Sequence, residues 1–161
     1  MRYAFYILLA MVAVGVSCSR DLHMKTYSIG STKIDLPDFL ETRVEEDTLV
    51  AFPPRTDFAN IRFTVISITK DERAGERLIR NEAAENKQEL HEGNGRVWYQ
   101  TTEQASEGSA GSLMHYWYVG LGGHALVASC FVDATRTNDP LARRVLDSVE
   151  PAIQTFRTNL K

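Results

Sequence analysis

The hydrophobic period of this chain switches from two residues to about three and a half and back again, and that order limits the folds open to it. Asn60–Thr69 alternates, with Ile61, Phe63 and Val65 on one face and Ile66 and Ile68 making its far end apolar on the other. That is the pattern of a strand covered on both sides. Asp71–His91 is instead rich in Glu, Arg, Ala and Lys, and Ile79, Ala83, Asn86 and Leu90 share one helical stripe beside Leu78. So thin a stripe predicts a surface helix with most of its circumference wet, ended by Gly93-Asn94-Gly95. Alternation returns over Arg96–Thr102, Leu113–Val119 and His124–Val132, and Gly120–Gly123 reads as a hairpin turn between the last two. A final helix opens at Asn138-Asp139 with Pro140 in its first turn. Its apolar stripe is Leu141, Val145, Val149, Ala152, Phe156 and Leu160, and Pro151 must kink or divide it.

Upstream, Tyr27–Pro37 reads as an early strand with Ile29, Ile34 and Leu36 inward, and Thr48–Phe52 as a second, stopped by Pro53-Pro54. Strands, a helix, strands and a helix predict an α+β fold. Its antiparallel sheet should have about five to six strands, flanked by a central charged helix and a C-terminal helix, as a single domain over residues 27–161. Of 161 residues 43% are hydrophobic and 24% charged, which excludes a disordered chain, a collagen-like repeat, a coiled coil and a multi-pass membrane protein. A net charge of -3 does not invite nucleic acid, and two cysteines exclude both a disulfide scaffold and a four-cysteine zinc site.

The N-terminus carries its own message. After Met1-Arg2, Tyr3–Ser19 has no charge, and its strongly apolar part, Ala4–Val16, is thirteen residues long. A helix of that length is too short to cross ~30 Å of hydrocarbon, and residues 1–17 read as an export signal. Cys18 follows Gly15-Val16-Ser17 in an arrangement that resembles a bacterial lipoprotein signal, although Gly15 stands where that pattern usually has leucine. The resemblance implies lipid attachment at Cys18, a tether over residues 18–26, and, with Ser19 next, a place on the outer membrane facing the periplasm. An ordinary cleaved signal, with Cys18 free or paired to Cys130, is the alternative.

The layout over residues 27–157 also resembles the PsbP-like α/β/α sandwich family, which includes many small bacterial lipoproteins. The likeness rests on the Leu36-Pro37 strand end, Asn60–Thr69 before a charged helix, and Val97-Trp98-Tyr99. The Tyr116–Val132 hairpin before a helix carrying Val145, Leu146, Ser148 and Val149 completes it. It implies an α/β/α sandwich, in a family whose members include assembly factors, secretion-linked chaperones and periplasmic proteins. Some interbacterial immunity lipoproteins share the size and the export layout.

Motifs for chemistry are sparse. The chain has no HExxH, Walker loop, G-x-S-x-G elbow or dinucleotide glycine pattern. His23, His91, His115 and His124 lack metal-ligand spacing, so neither a metal nor a cofactor is expected. Cys130 reads as a small buried hydrophobe, or as a nucleophile should the hairpin bring His115 beside it as base. Tyr116-Trp117-Tyr118, with Trp98-Tyr99 on a neighbouring strand, must send some rings outward, and exposed aromatics favour recognition. Trp98, Tyr116 and Tyr118 are therefore candidate partner-binding residues, together with the acidic Glu41, Glu45, Glu46 and Asp47; Arg136, Arg143 and Arg144 form a small basic set.

The expectation is a non-catalytic exported lipoprotein that binds another envelope protein, such as an immunity-type inhibitor of a toxic effector or an assembly or secretion factor. A small-ligand or lipid-binding domain is the alternative and requires an apolar pocket between the sheet and a helix. A hydrolase-type enzyme using His115 with Cys130 or with an acidic residue is the third reading.

Overall fold

The computed structural model describes residues 23–69, 71–106 and 110–158. The expected export signal over residues 1–17 and Cys18 lie outside them. In chain order the strands are β1 (Met24–Ile29), β2 (Thr32–Pro37), β3 (Glu41–Glu45), β4 (Thr48–Phe52), β5 (Ala59–Ser67), β6 (His91–Gly93), β7 (Arg96–Gln104), β8 (Leu113–Leu121), β9 (His124–Val132) and β10 (Arg157–Thr158). The helices are α1 (Ala74–Glu85), α2 (Pro140–Asp147) and α3 (Val149–Ile153). Seven strands form one antiparallel sheet in the order β3-β4-β5-β9-β8-β7-β6, and β1-β2-β10 form a small second sheet.

Alternation divides the large sheet into two faces. Leu49, Ile61, Phe63, Trp98, Trp117, Val119, Leu126, Ala128 and Cys130 point to one side, hereafter the inner face. They pack against Val145, Val149 and Ile153 of the C-terminal helices, against Phe156, which lies beyond the end of α3 and not on the expected helical stripe, and against Ile29, Ile34 and Leu36 of the small sheet. On the outer face, Ile79 and Ala83 of α1 cover Val97, Tyr99 and Ala125. The result is an α+β sandwich with the charged helix outside and the C-terminal helices inside, as the order of periods requires.

Several elements differ from expectation, each for a local reason. Tyr27–Pro37 is part of a hairpin, with β1 paired to β2 across Gly30-Ser31. A continuous strand would put residues 29 and 34, an odd number apart, on opposite faces, and the turn lets both be buried. Helix α1 stops at Glu85, well before His91, because Lys87 enters the left-handed region at φ 55°. There the Lys87 N–H donates to Ala84 O (3.3 Å) and the Gln88 N–H to Ala83 O (2.8 Å), a closed C-terminal motif that satisfies otherwise unpaired carbonyls. Gly93-Asn94-Gly95 instead turns β6 into β7, with Asn94 and Gly95 both at positive φ (52° and 71°), as a two-residue hairpin demands.

The last helix begins as expected, with Asp139 accepting from the Leu141 N–H at 2.8 Å and Pro140 in the first turn. It divides at Ser148, one turn upstream of Pro151, so the proline occupies the first turn of α3, where its missing N–H costs nothing. Two strands, β3 and β6, are short polar edges that carry no clear alternation. Finally, β5 is not covered on both sides: its inner residues Ala59, Ile61 and Phe63 are buried, but on the outer side Arg62 is exposed and Ile66 is 47% exposed.

Candidate functional site

The uncovered part of the outer face is the feature that most distinguishes the surface. Strand register fixes which residues meet there. One row runs Arg43, Val50, Arg62, Ser129, Tyr116, Thr101 across β3-β4-β5-β9-β8-β7. In the row on one side of it lie Glu45, Thr48, Thr64, Val127, Tyr118 and Tyr99. On its other side Phe131 pairs with Asn60 and Met114. Helix α1 reaches only the end of this face nearest Tyr99 and Ala125.

Where the helix stops, a basin of about 860 Å³ opens. Met114, Phe131 and Ser129 form its floor, Arg62 and Asn60 one wall, and the segments around Phe58 and Arg136 its far rim. Arg136 lies over the Phe58 ring at 5.5 Å, and Arg43 over Phe52 at 5.7 Å, so guanidinium groups stand over aromatic rings on both flanks. Tyr116 stacks on Tyr118 (6.1 Å between centroids), which stacks on Tyr99 (4.8 Å). Burial is the main reason that the Tyr118 hydroxyl is held above its usual range and that of Tyr99 is pushed up to about 12, with the Glu82 carboxylate adding to it. Both stay neutral near pH 7, and the Tyr99 hydroxyl donates to Glu82 Oε2 at 3.3 Å.

The structure brings four of the sequence-derived candidates onto this one face: Glu41, Glu45, Tyr116 and Tyr118. Glu45 is paired there, to Arg43 Nε at 2.6 Å and to Arg62 Nη2 at 3.9 Å. Glu46 and Asp47 form the exposed β3–β4 turn beside it, Glu46 at φ 53°. Trp98 is separate. It is 9% exposed on the inner face, its ring 5.6 Å from that of His91, and it belongs to the core.

The pairing of His115 with Cys130 is geometrically real, since the two are direct cross-strand partners in β8 and β9. The chemistry does not follow. Cys130 is fully buried, and burial pushes its thiol up to about 12, so almost no thiolate forms near neutrality. His115 is lowered by burial and its Nδ1 lies 3.1 Å from the Thr102 hydroxyl. Among the described residues no three His, Cys, Asp or Glu side chains converge as a metal site.

Sequence reasoning missed Arg62, Asn60, Phe58 and Phe131 as site residues. Arg62 and Phe131 look like ordinary members of alternating strands, and only the register between β5 and β9 puts them on the same bare patch.

No protein-family model matches the chain, and no curated protein matches it. Solved structures do. The fold is that of the PsbP-like α+β proteins. A crystal structure from Bacteroides thetaiotaomicron is similar at a TM-score of 0.64 and 16% identity, over 86% of this chain and 48% of that one. This chain therefore spans about half the length of the Bacteroides protein. The solution structure of cyanobacterial PsbP (CyanoP) from Synechocystis is similar at a TM-score of 0.54 and 12% identity, over 91% of this chain and 95% of that one.

Proposed function

We propose that this chain is a non-catalytic exported lipoprotein that binds another protein of the bacterial envelope through the outer face of its large sheet. The observation that carries the reading is the bare half of that face, where Met114 and Phe131 floor the basin, Tyr116 stands on the same face of β8, and arginines and carboxylates form the rim. Desolvated aromatic anchors inside a polar rim are the anatomy of protein interfaces, and Tyr and Arg are their commonest energetic centres. The 13-residue apolar N-terminal segment and Cys18 supply export and the anchor to the outer membrane, with no nucleic acid and no cofactor involved. An immunity-type inhibitor and an assembly or secretion factor are two forms of the same activity.

A small-ligand or lipid-binding role has less behind it. The core between the sheet and α2–α3 is filled by Phe63, Ile153, Phe156 and their neighbours, the groove left at the β7 end carries Asp147 and Glu150 on its wall, and the basin on the other side is open and rimmed by charge.

The test is capture from lysate of the native organism by a soluble form beginning at Ser19, compared with Arg62→Glu and Phe131→Ser. A stoichiometric protein held by the parent through moderate salt and lost from both variants supports the reading. A partner that both variants retain, or a small molecule found by native mass spectrometry in place of a protein, overturns it. Cys18→Ser should move the full chain from the membrane pellet to the soluble fraction, and unchanged membrane association sinks the lipid anchor.

A further inference from the structure

A second surface lies on the opposite side of the sheet, at its β7 edge. Strand β7 runs for nine residues, but β6 pairs only with its first three, Arg96–Trp98. Among the described residues, Tyr99–Gln104 thus has β8 on one side and no strand on the other. The Ala105 N–H donates to Ser112 O at 2.8 Å, which fixes the alternation: odd-numbered residues here exchange backbone hydrogen bonds with β8. The backbone N–H and C=O groups of Gln100, Thr102 and Gln104 therefore point away from the sheet, and all three residues are exposed. Folded proteins usually guard such an edge with Lys, Pro or a bulge. The edge strand at the opposite end of the sheet, β3, carries Glu41, Arg43 and Glu45, whereas Tyr99–Gln104 has one charge, Glu103, and no Lys, Arg or Pro.

The side chains of Gln100 and Thr102 point to the inner side, into a groove of about 680 Å³ between β7–β8 and the α2–α3 corner. His115 and Trp117 form its floor, and Asp147 and Glu150 stand on its helical wall. No Lys or Arg lines it. Among the described residues neither Asp147 nor Glu150 has an ion-pair partner. The nearest arginines in sequence are engaged elsewhere, Arg143 with Asn138 Oδ1 at 2.8 Å and Arg144 over the Phe39 ring at 3.9 Å. The groove is therefore acidic.

We propose that the free edge of β7 takes up an extended, basic segment of a partner protein as an added strand, its alternate Lys or Arg side chains entering the groove beside Asp147 and Glu150. A strand added about 4.8 Å from β7 would exchange hydrogen bonds with Gln100, Thr102 and Gln104. Its residues opposite those three would face the groove, because cross-strand partners share a face. The backbone supplies affinity without sequence preference, and the acidic wall selects the charge. A second copy of this chain does not meet the requirement, since its own β7 edge brings no cation. This goes beyond the outer-face reading and shares no residue with it.

The experiment titrates the full chain, purified in detergent, into a fluorescein-labelled peptide Thr-Lys-Val-Lys-Val-Lys-Thr and follows anisotropy. Saturable binding is expected, with no binding of the peptide carrying Glu for Lys or of one N-methylated at alternate residues. Asp147→Asn with Glu150→Gln, both exposed, should weaken binding about tenfold. Thr102→Pro removes an outward N–H together with the hydroxyl that meets His115 Nδ1, and Thr102→Val removes the hydroxyl alone, so binding should be lost in the first and kept in the second at equal melting temperatures. Arg62→Glu should leave binding unchanged. Absence of saturable binding, equal affinity for the Glu peptide, or full binding by the double charge variant overturns the proposal. So does a dimer in native mass spectra that Thr102→Pro dissolves, which assigns the edge to a second copy.

Discussion

The two faces of the seven-stranded sheet are made from the same strands and have opposite fates. The inner face presents Ile61, Phe63, Val119 and Leu126, all fully buried under Val145, Val149 and Phe156. The outer face of the same strands presents Arg62, Tyr116, Ser129 and Phe131, none fully buried, with α1 resting on one end. Stability and recognition are thereby separated: apolar area removed from water on one side holds the fold, and the other side is free to carry groups chosen for a partner. Truncating one phenylalanine on each face tests the separation most severely. Phe63→Ala should cost about 3–5 kcal/mol, by lost transfer energy and the cavity left behind. Phe131→Ala, at a partly buried residue of the basin floor, should cost about 1 kcal/mol. Urea unfolding of both variants decides it, and equal losses would mean that the outer face belongs to the core.

How α1 is attached sharpens the same contrast. Its N-terminus approaches the β8–β9 hairpin so closely that the Gly75 N–H donates to Gly122 O at 2.8 Å. A Cβ on Gly75 would lie 1.9 Å from His124 O, and one on Gly120 would lie 2.5 Å from Gly75 O. Both obstacles are backbone, which no rotamer change relieves. Gly75→Ala should therefore cost up to about 3 kcal/mol, with the loss confined to the helix. Native-state hydrogen exchange should show α1 amides exchanging faster while β5 and β9 keep their protection. Joint loss of protection would make the two faces one cooperative unit.

These particulars also show what the residues disclosed in advance. Period two at Asn60–Thr69 and His124–Val132, and the Asp139-Pro140 start, locate strands and helix because burial on one side leaves a readable stripe. The assignment of both faces of β5 to a core failed at Ile66, since apolarity records what a side chain tolerates and not what the fold places over it. Glu41, Glu45, Tyr116 and Tyr118 were visible as residue types. Their union with Arg62 and Phe131 on one patch depends on register between strands about seventy residues apart, and a single sequence carries no mark of that pairing. The β7 edge was hidden for the converse reason: its openness follows from β6 being only three residues long.

A smaller effect concerns the rim of the inner face. His115 is partly buried there, and burial lowers it from its ordinary value of 6.5, so the folded state prefers the neutral ring. Below pH 6.5 the unfolded chain binds more protons at this residue than the folded one. Stability should therefore fall as pH drops from 6.5 toward the folded-state value, then level off as far as this residue contributes. His115→Gln removes the titration, so its unfolding free energy relative to the parent should improve as pH falls through that window. A constant difference between the two proteins would show that the ring is solvated like an outer-face group.

The smallest effect lies at the far end of α1. Lys87 holds φ 55° to complete the closing turn of the helix, a conformation that costs an L-residue with a Cβ about 1 kcal/mol. Glycine adopts it freely but loses more backbone entropy on folding. Lys87→Gly should therefore stabilise by about 0.5 kcal/mol. Because α1 is clamped to the outer face at Gly75 and packed through little more than Ile79 and Ala83, the gain should appear first as slower exchange of the amides at its C-terminal turn, Asn86 to Gln88. A rise in global unfolding energy with no local slowing would instead tie this helix to the inner core, and the asymmetry between the faces would then describe exposure alone.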